Sequence, residues 1–137
     1  MWTTWLKQAK PVMPVIVIDD IEYAVPMAEA LVAGGVKFLE ITLRTPAALE
    51  AIGLISQEVP DAIIGVGTVT TPKQLHDALN QGAEFAVSPG FTPNLLDAAK
   101  EWGGAYLPGV ATPSEVMQAR EAGFQYMKFF PAVPSGG

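Results

Sequence analysis

Four Thr-Pro pairs divide this chain, at Thr45-Pro46, Thr71-Pro72, Thr92-Pro93 and Thr112-Pro113. Each follows a short apolar run, and the segments after the last three end at Gly82, Gly103-Gly104 and Gly123. A threonine at the N-cap accepts an orphan amide proton with its hydroxyl, and a proline at the first helical position has φ already set. Glycine just past the last turn takes the left-handed conformation that closes a helix. Two of the starts extend to capping boxes, Thr71 with Gln74 and Thr112 with Glu115. A chain punctuated in this way is confined to alternating strands and helices.

The predicted strands are Val12–Ile18, Phe38–Leu43, Ala62–Val66, Phe85–Val87, Tyr106–Leu107 and Tyr126–Phe130. They are apolar almost throughout, the pattern of a parallel sheet covered by helices. The predicted helices are Ile21–Ala33, Pro46–Glu58, Pro72–Gln81, Pro93–Trp102 and Pro113–Ala122. A further helix, Trp2 to Ala9, places Trp2, Trp5, Leu6 and Ala9 on one face, where the tryptophans read as core. With 137 residues, half of them hydrophobic, the chain suits one domain with a substantial core.

Composition removes several chemistries. The absence of cysteine excludes disulfides, thiolate nucleophiles and Cys-zinc sites. With His76 the only histidine, a histidine-rich metal site is excluded, although a carboxylate-bound magnesium is not. His76 itself falls in an amphipathic helix and reads as a surface or packing residue. A net charge of −6 argues against nucleic acid and against a polybasic membrane patch, yet leaves an anionic small molecule open. Residues Met1 to Lys10 lack the apolar core of a signal peptide, and no run is long enough to span a membrane. The expected location is the cytoplasm.

Lys128 stands in the aromatic-rich run Tyr126-Met127-Lys128-Phe129-Phe130-Pro131. A strand so apolar is expected to be buried, and a buried ammonium tends to shed its proton and become a nucleophilic amine. The alternative is a lysine at a strand end, reaching water over its aromatic neighbours. On the second strand, Phe38, Glu40, Thr42 and Arg44 alternate onto one face. Glu40 and Arg44 are either an ion pair of little energetic weight or a buried functional carboxylate with a cation above it. Five residues beyond Gly35 lies Glu40, and five beyond Gly123 lies Lys128, which suggests equal heights on their strands. In a β/α barrel that height is where catalytic residues gather. The remaining strand ends, Gly65-Val66-Gly67-Thr68, Ser88-Pro89-Gly90 and Leu107-Pro108-Gly109, are small enough for a substrate to approach the backbone, or are simple turns. They form no nucleotide-binding motif.

Taken in order, "VMPVIV", "ALVAGGVKFLEITLRT", "IIGVGTV", "FAVSPG" and "KFFPA" resemble the bacterial 2-keto-3-deoxy-6-phosphogluconate (KDPG) aldolases over nearly the whole chain from Pro11. The resemblance implies a class I aldolase on a (β/α)8 barrel, commonly trimeric, acting on a small 2-keto acid without metal or other cofactor. It implies Lys128 as the Schiff-base lysine and Glu40 as the proton-transferring glutamate. It also implies that Arg44, Thr68 and the backbone around Pro89 bind the pyruvate portion, with the aromatic ring of Phe130 beside the imine. The substrates it suggests are KDPG, or a relative such as 4-hydroxy-2-oxoglutarate.

The chain departs from that pattern in length. Such a barrel takes about 200 residues or more, and six strand-helix beginnings are read here rather than eight. The expectation is a single domain, residues 1–137, truncated to about six β/α units with an N-terminal helix. The strands and glycine-rich loops that bind the substrate phosphate in the family would then be missing. Such a chain would expose strand edges that favour association. A catalytically impaired remnant, or a partner in assembly, is the alternative to an active aldolase.

Overall fold

The computed structural model describes residues 1–8 and 12–137. Its helices are α1 (Trp2–Gln8), α2 (Ala24–Ala33), α3 (Ala48–Glu58), α4 (Pro72–Gln81), α5 (Pro93–Trp102) and α6 (Pro113–Glu121). Its strands are β1 (Val15–Ile16), β2 (Phe38–Thr42), β3 (Ile63–Gly67), β4 (Phe85–Val87), β5 (Ala105–Leu107), β6 (Gly109–Val110) and β7 (Lys128–Phe129). Five strands form one sheet in chain order, β1-β2-β3-β4-β5, with every neighbouring pair parallel. A second parallel pair joins β6 to β7. Strand order that follows the chain, with a helix between most neighbours, is the wall of a β/α barrel.

Pro108 separates β5 from β6. Its nitrogen has no proton to donate, so the regular ladder breaks at that residue. Its carbonyl still accepts from the Lys128 amide at 3.0 Å, and the Phe130 amide donates to the Val110 carbonyl at 3.1 Å. The extended segment therefore continues through the supposed turn at Leu107-Pro108-Gly109 and carries the last strand. A proline and a glycine side by side hid this strand from a reading that treats both as turn residues.

Alternation sends side chains to two layers. Leu39, Ile41, Ile64, Val66, Ala86 and Tyr106 point outward, into one core shared with Ala28, Ile52, Leu75 and Leu95 of the helices. Phe38, Phe85, Val87 and Ala105 point inward and form a second cluster with Trp2. The N-terminal helix plugs this interior from the end where the strands begin. Trp2 meets Phe85 edge-on at 5.6 Å and Trp5 meets Phe38 at 5.5 Å, while the hydroxyls of Thr3 and Tyr126 are hydrogen-bonded. The tryptophans are core, as expected, but Leu6 is exposed. Ala9, expected as the end of α1, lies outside the described residues.

Several element boundaries differ from expectation. β1 is two residues rather than Val12–Ile18, since it is an edge strand whose only partner is β2 among the described residues. The helix expected over Ile21–Ala33 begins as a 3-10 turn, Ile21–Tyr23, capped by Asp20, and turns α-helical at Ala24. Thr71, Thr92 and Thr112 cap α4, α5 and α6 by accepting from the amides of Gln74, Leu95 and Glu115. Thr45 does not cap α3: its hydroxyl donates to the Ile18 carbonyl, and the helix starts at Ala48 instead of Pro46. The capping boxes are also rewired, because Gln74 reaches back to Thr70 and Glu115 accepts from the Thr112 hydroxyl. A side-chain acceptor at the third helical position takes whichever donor is nearest.

The run Tyr126–Phe130 is only half-buried, and its regular strand is Lys128–Phe129. Among the described residues β7 has one neighbour, so one flank of the strand is unpaired there. Val15 of β1 and Val17 just past it are likewise 51% and 44% exposed. Among the described residues the wall does not close between β7 and β1, in keeping with six β/α units.

The cap at α5 gives a direct test. Thr92→Ala should cost about 1 kcal/mol in urea unfolding, with most of it recovered by Thr92→Ser. An unchanged midpoint for the alanine variant would show that the cap hydrogen bond carries no net stability.

Candidate active site

Glu40 is the central residue of β2 and points inward with Phe38 and Thr42. Its strand is fixed on both sides, by β1 and β3, and the buried hydroxyl of Thr42 donates to the Ile16 carbonyl at 3.0 Å. Glu40 is therefore held at 4% exposure, and its Oε1 has no hydrogen-bond partner among the described residues. The atom nearest in charge is Nζ of Lys128, 4.0 Å away. At that separation the two groups attract without forming a hydrogen bond.

Register explains how residues on distant strands meet. The row through Glu40 runs to Gly65, Phe85 and Ala105, whereas Lys128 pairs with Gly109, four residues beyond Ala105. Along the ladder, Lys128 is thus displaced by four residues from the row through Glu40. In a barrel each strand is displaced by about one residue against its neighbour. That displacement, accumulated from β2 round to β7, brings the two side chains level across the interior.

Burial pushes the Glu40 carboxyl above its ordinary value of 4.5, and the charges of Lys128 and then Arg44 offset part of that rise. Desolvation wins because the carboxylate has cations nearby but nothing donating to it. The Lys128 side chain is 25% exposed, and its Nζ lies 4.9 Å from the centroid of the Phe130 ring, within cation–π range. Lys7, Lys37, Lys73 and Lys100 are all exposed, and Lys10 lies outside the described residues. His76 is on the exposed face of α4, as expected of a surface histidine.

Lys128, Glu40 and Phe130 are thus brought together directly. Arg44, two residues past the end of β2, is exposed and acts on Glu40 through its field; it makes no ion pair with it. Thr68 follows β3 directly and is the non-glycine residue at positive φ, +60°. A β-branched residue in that conformation stores roughly 1–3 kcal/mol of strain. Pro89 follows β4; its main chain lies against Gly109, and it lines a small hollow of ≈170 Å³ with Phe91 and Leu95. Neither Thr68 nor Pro89 bonds to Lys128 or Glu40, but both stand at the same ends of their strands as Arg44. Roomier hollows, ≈380 Å³ beside Trp2 and Tyr126 and ≈600 Å³ beside Lys37 and Asp61, open at the other end of the barrel. The titratable pair, not volume, identifies the site.

The sequence did not reveal what the glycines hold. Gly65 makes room for the Phe85 ring and Gly67 for the Glu40 carboxylate, so neighbouring side chains use this space. Nor did it reveal the buried bond from the Tyr106 hydroxyl to Ser88 Oγ, at 2.8 Å, beneath the Ser88-Pro89 turn. Burial pushes that phenol up to about 12, the Ser88 bond opposing it. Strand alternation would place both residues on the helix side, but nothing local pairs them.

The chain matches the family model for KDPG and KHG aldolases over residues 3–137. It is 56% identical to the 2-dehydro-3-deoxy-phosphogluconate aldolase of Dickeya dadantii, over 99% of this chain and 65% of that protein. It is 54% identical to the KHG/KDPG aldolase of Escherichia coli K12, over 93% of this chain and 60% of that protein. Among solved structures, it superposes on the KDPG aldolase of Zymomonas mobilis ZM4 with 3-phosphoglycerate at a TM-score of 0.93 and 51% identity. That match covers 98% of this chain and 64% of the other. The KDPG aldolase of Legionella pneumophila, with pyruvate captured as a covalent carbinolamine, gives 0.92 and 51%, over 95% and 63%. The chain thus spans a little under two thirds of the length of these relatives.

The charge state of Glu40 makes a prediction about stability. The fold binds this proton more tightly than the unfolded chain does, so ionising Glu40 costs stability. That cost grows as pH rises from 4.5 through the raised value. Glu40→Gln should therefore melt higher than the parent at mildly alkaline pH, and the gap should close as pH falls toward 4.5. Equal melting temperatures across that range would show that the buried carboxylate is not penalised.

Proposed function

The chain belongs to the KDPG and KHG aldolase family, and we propose that it performs the Schiff-base chemistry of a class I aldolase. The reading rests on one observation above the others: a lysine amine 4.0 Å from a buried, unpartnered carboxylate oxygen. The covalent carbinolamine of pyruvate in the Legionella relative supports the same chemistry here. KDPG is the proposed substrate, with 4-hydroxy-2-oxoglutarate as a second one.

In this reading Nζ of Lys128 attacks the C2 keto carbon to give a carbinolamine. Loss of water, with Glu40 giving the proton, leaves an iminium. Glu40 then takes the proton from the C4 hydroxyl, the C3–C4 bond breaks, and its electron pair flows into the iminium as an enamine of pyruvate. The aldehyde leaves, Glu40 returns a proton to C3, and water frees pyruvate from Lys128. A carboxyl raised by burial is suited to both halves of this exchange, since it gives up and takes back a proton nearer neutral pH. Arg44, free of an ion pair, would hold the substrate carboxylate by paired hydrogen bonds. The Thr68 hydroxyl and the Pro89 main chain would line the same pocket, and the Phe130 ring would flank the cationic imine.

Borohydride reduction in the presence of pyruvate, followed by peptide mapping, should label Lys128 alone. Labelling spread over Lys7, Lys37, Lys73 and Lys100, or its absence, would remove the reading. Glu40→Gln should keep imine trapping but lose turnover by about 10²–10⁴-fold, the usual worth of a positioned acid–base group. Turnover within a few-fold of the parent would make Glu40 structural.

A further inference from the structure

We infer that Gly67 is a positioning residue for proton transfer, keeping open the space in which the Glu40 carboxylate reaches Lys128. The inference rests on the Schiff-base reading and adds a residue to it. Gly67 ends β3 with ordinary strand geometry, so its backbone places no demand on glycine. It faces inward beside Thr42 in the ladder, one diagonal step from Glu40. A Cβ built there overlaps Oε1, Cδ and Cγ of Glu40, and those are the three nearest atoms. What excludes a side chain at this position is the carboxylate itself.

The same oxygen that would meet the new methyl, Oε1, is the unpartnered one facing Nζ of Lys128. Any side chain at residue 67 therefore displaces the very atom that moves protons. Glu40 has a free chain end, so the fold can accommodate a methyl by swinging the carboxylate away. The polypeptide survives while the geometry at Lys128 is lost. Gly65 in the same strand differs, because a Cβ there meets the ring of Phe85 in the packed interior.

The test separates the endpoint of imine trapping from the rate of proton transfer at carbon, and needs only pyruvate. Once pyruvate is an iminium on Lys128, a nearby base removes a methyl proton to give the enamine, and deuterium returns from D₂O. Exchange of the pyruvate methyl protons, followed by proton NMR, reads Glu40; borohydride trapping reads Lys128. Gly67→Ala should still trap pyruvate at Lys128 but exchange about 10–100-fold more slowly, the size of effect that misplacing a reacting group by about an ångström produces. In the Glu40→Gln background, adding Gly67→Ala should change exchange by no more than about threefold, since two changes acting through one group do not add.

Undiminished exchange in Gly67→Ala, or a full further loss on top of Glu40→Gln, would overturn the inference. If the parent itself fails to trap pyruvate, the Schiff-base reading fails, a result distinct from these. Should Gly67→Ala not fold, the pair Gly67→Ala with Glu40→Ala decides the matter. Refolding in the double variant shows that the carboxylate is what the methyl displaces, and continued unfolding shows that it is not.

Discussion

A carboxylate held almost dry, with the nitrogen of one lysine just beyond hydrogen-bonding distance, is the condition around which this protein is arranged. Either group alone would be poorly placed. An unpaired buried carboxylate takes up a proton, and a lysine among aromatic rings gains little from them beyond a weak electrostatic contact. Together they are asymmetric: Glu40 is nearly sealed, whereas Lys128 keeps a quarter of its side chain open. The asymmetry follows from topology. β2 is clasped between two neighbours, while β7 is gripped on one side. The Glu40 carboxylate is thereby shielded, while the Lys128 side chain stays partly open.

Supporting residues divide by end of the barrel. Where the strands begin, Trp2, Trp5, Phe38 and Phe85 fill the interior with edge-on rings and leave no chemistry. Where the strands end, the interior holds a carboxylate, glycines and a strained threonine. Each of these lowers stability, through desolvation, lost packing or backbone strain. The aromatic floor and the helix-facing core offset them.

The repeating unit was legible because Thr-Pro starts and glycine stops act locally, and α4, α5 and α6 follow them. Thr45 departs because a nearby carbonyl, Ile18, competes for its hydroxyl, and no helix-start rule contains that partner. Glu40 and Lys128 were legible by residue type and by resemblance to a known family. Equal offsets from Gly35 and Gly123 pointed to equal heights, but the stagger of successive strands that produces them is visible only in the assembled ladder. β6 was missed because Pro108 and Gly109 look like a turn, although the strand needs only the Pro108 carbonyl and the ladder pairing of Gly109. The glycines of β3 were visible as small residues, but the side chains they accommodate come from other strands.

Parallel pairing in chain order also has a bearing on how the fold is reached. Each strand from β2 to β5 finds its neighbour one β/α unit back, so the wall can grow by accretion as successive units appear. Among the contacts that do not fit that scheme, two reach far along the chain. The Thr3–Tyr126 hydrogen bond joins residues 123 apart, and Glu40 meets Lys128 only across the whole arc. Both await the unit that carries β7. Until it docks, a nascent chain can possess most of its sheet, yet its floor lacks a tie to the last strand and its carboxylate has no amine beside it. The tie to the floor and the approach of Glu40 to Lys128 therefore form in one step.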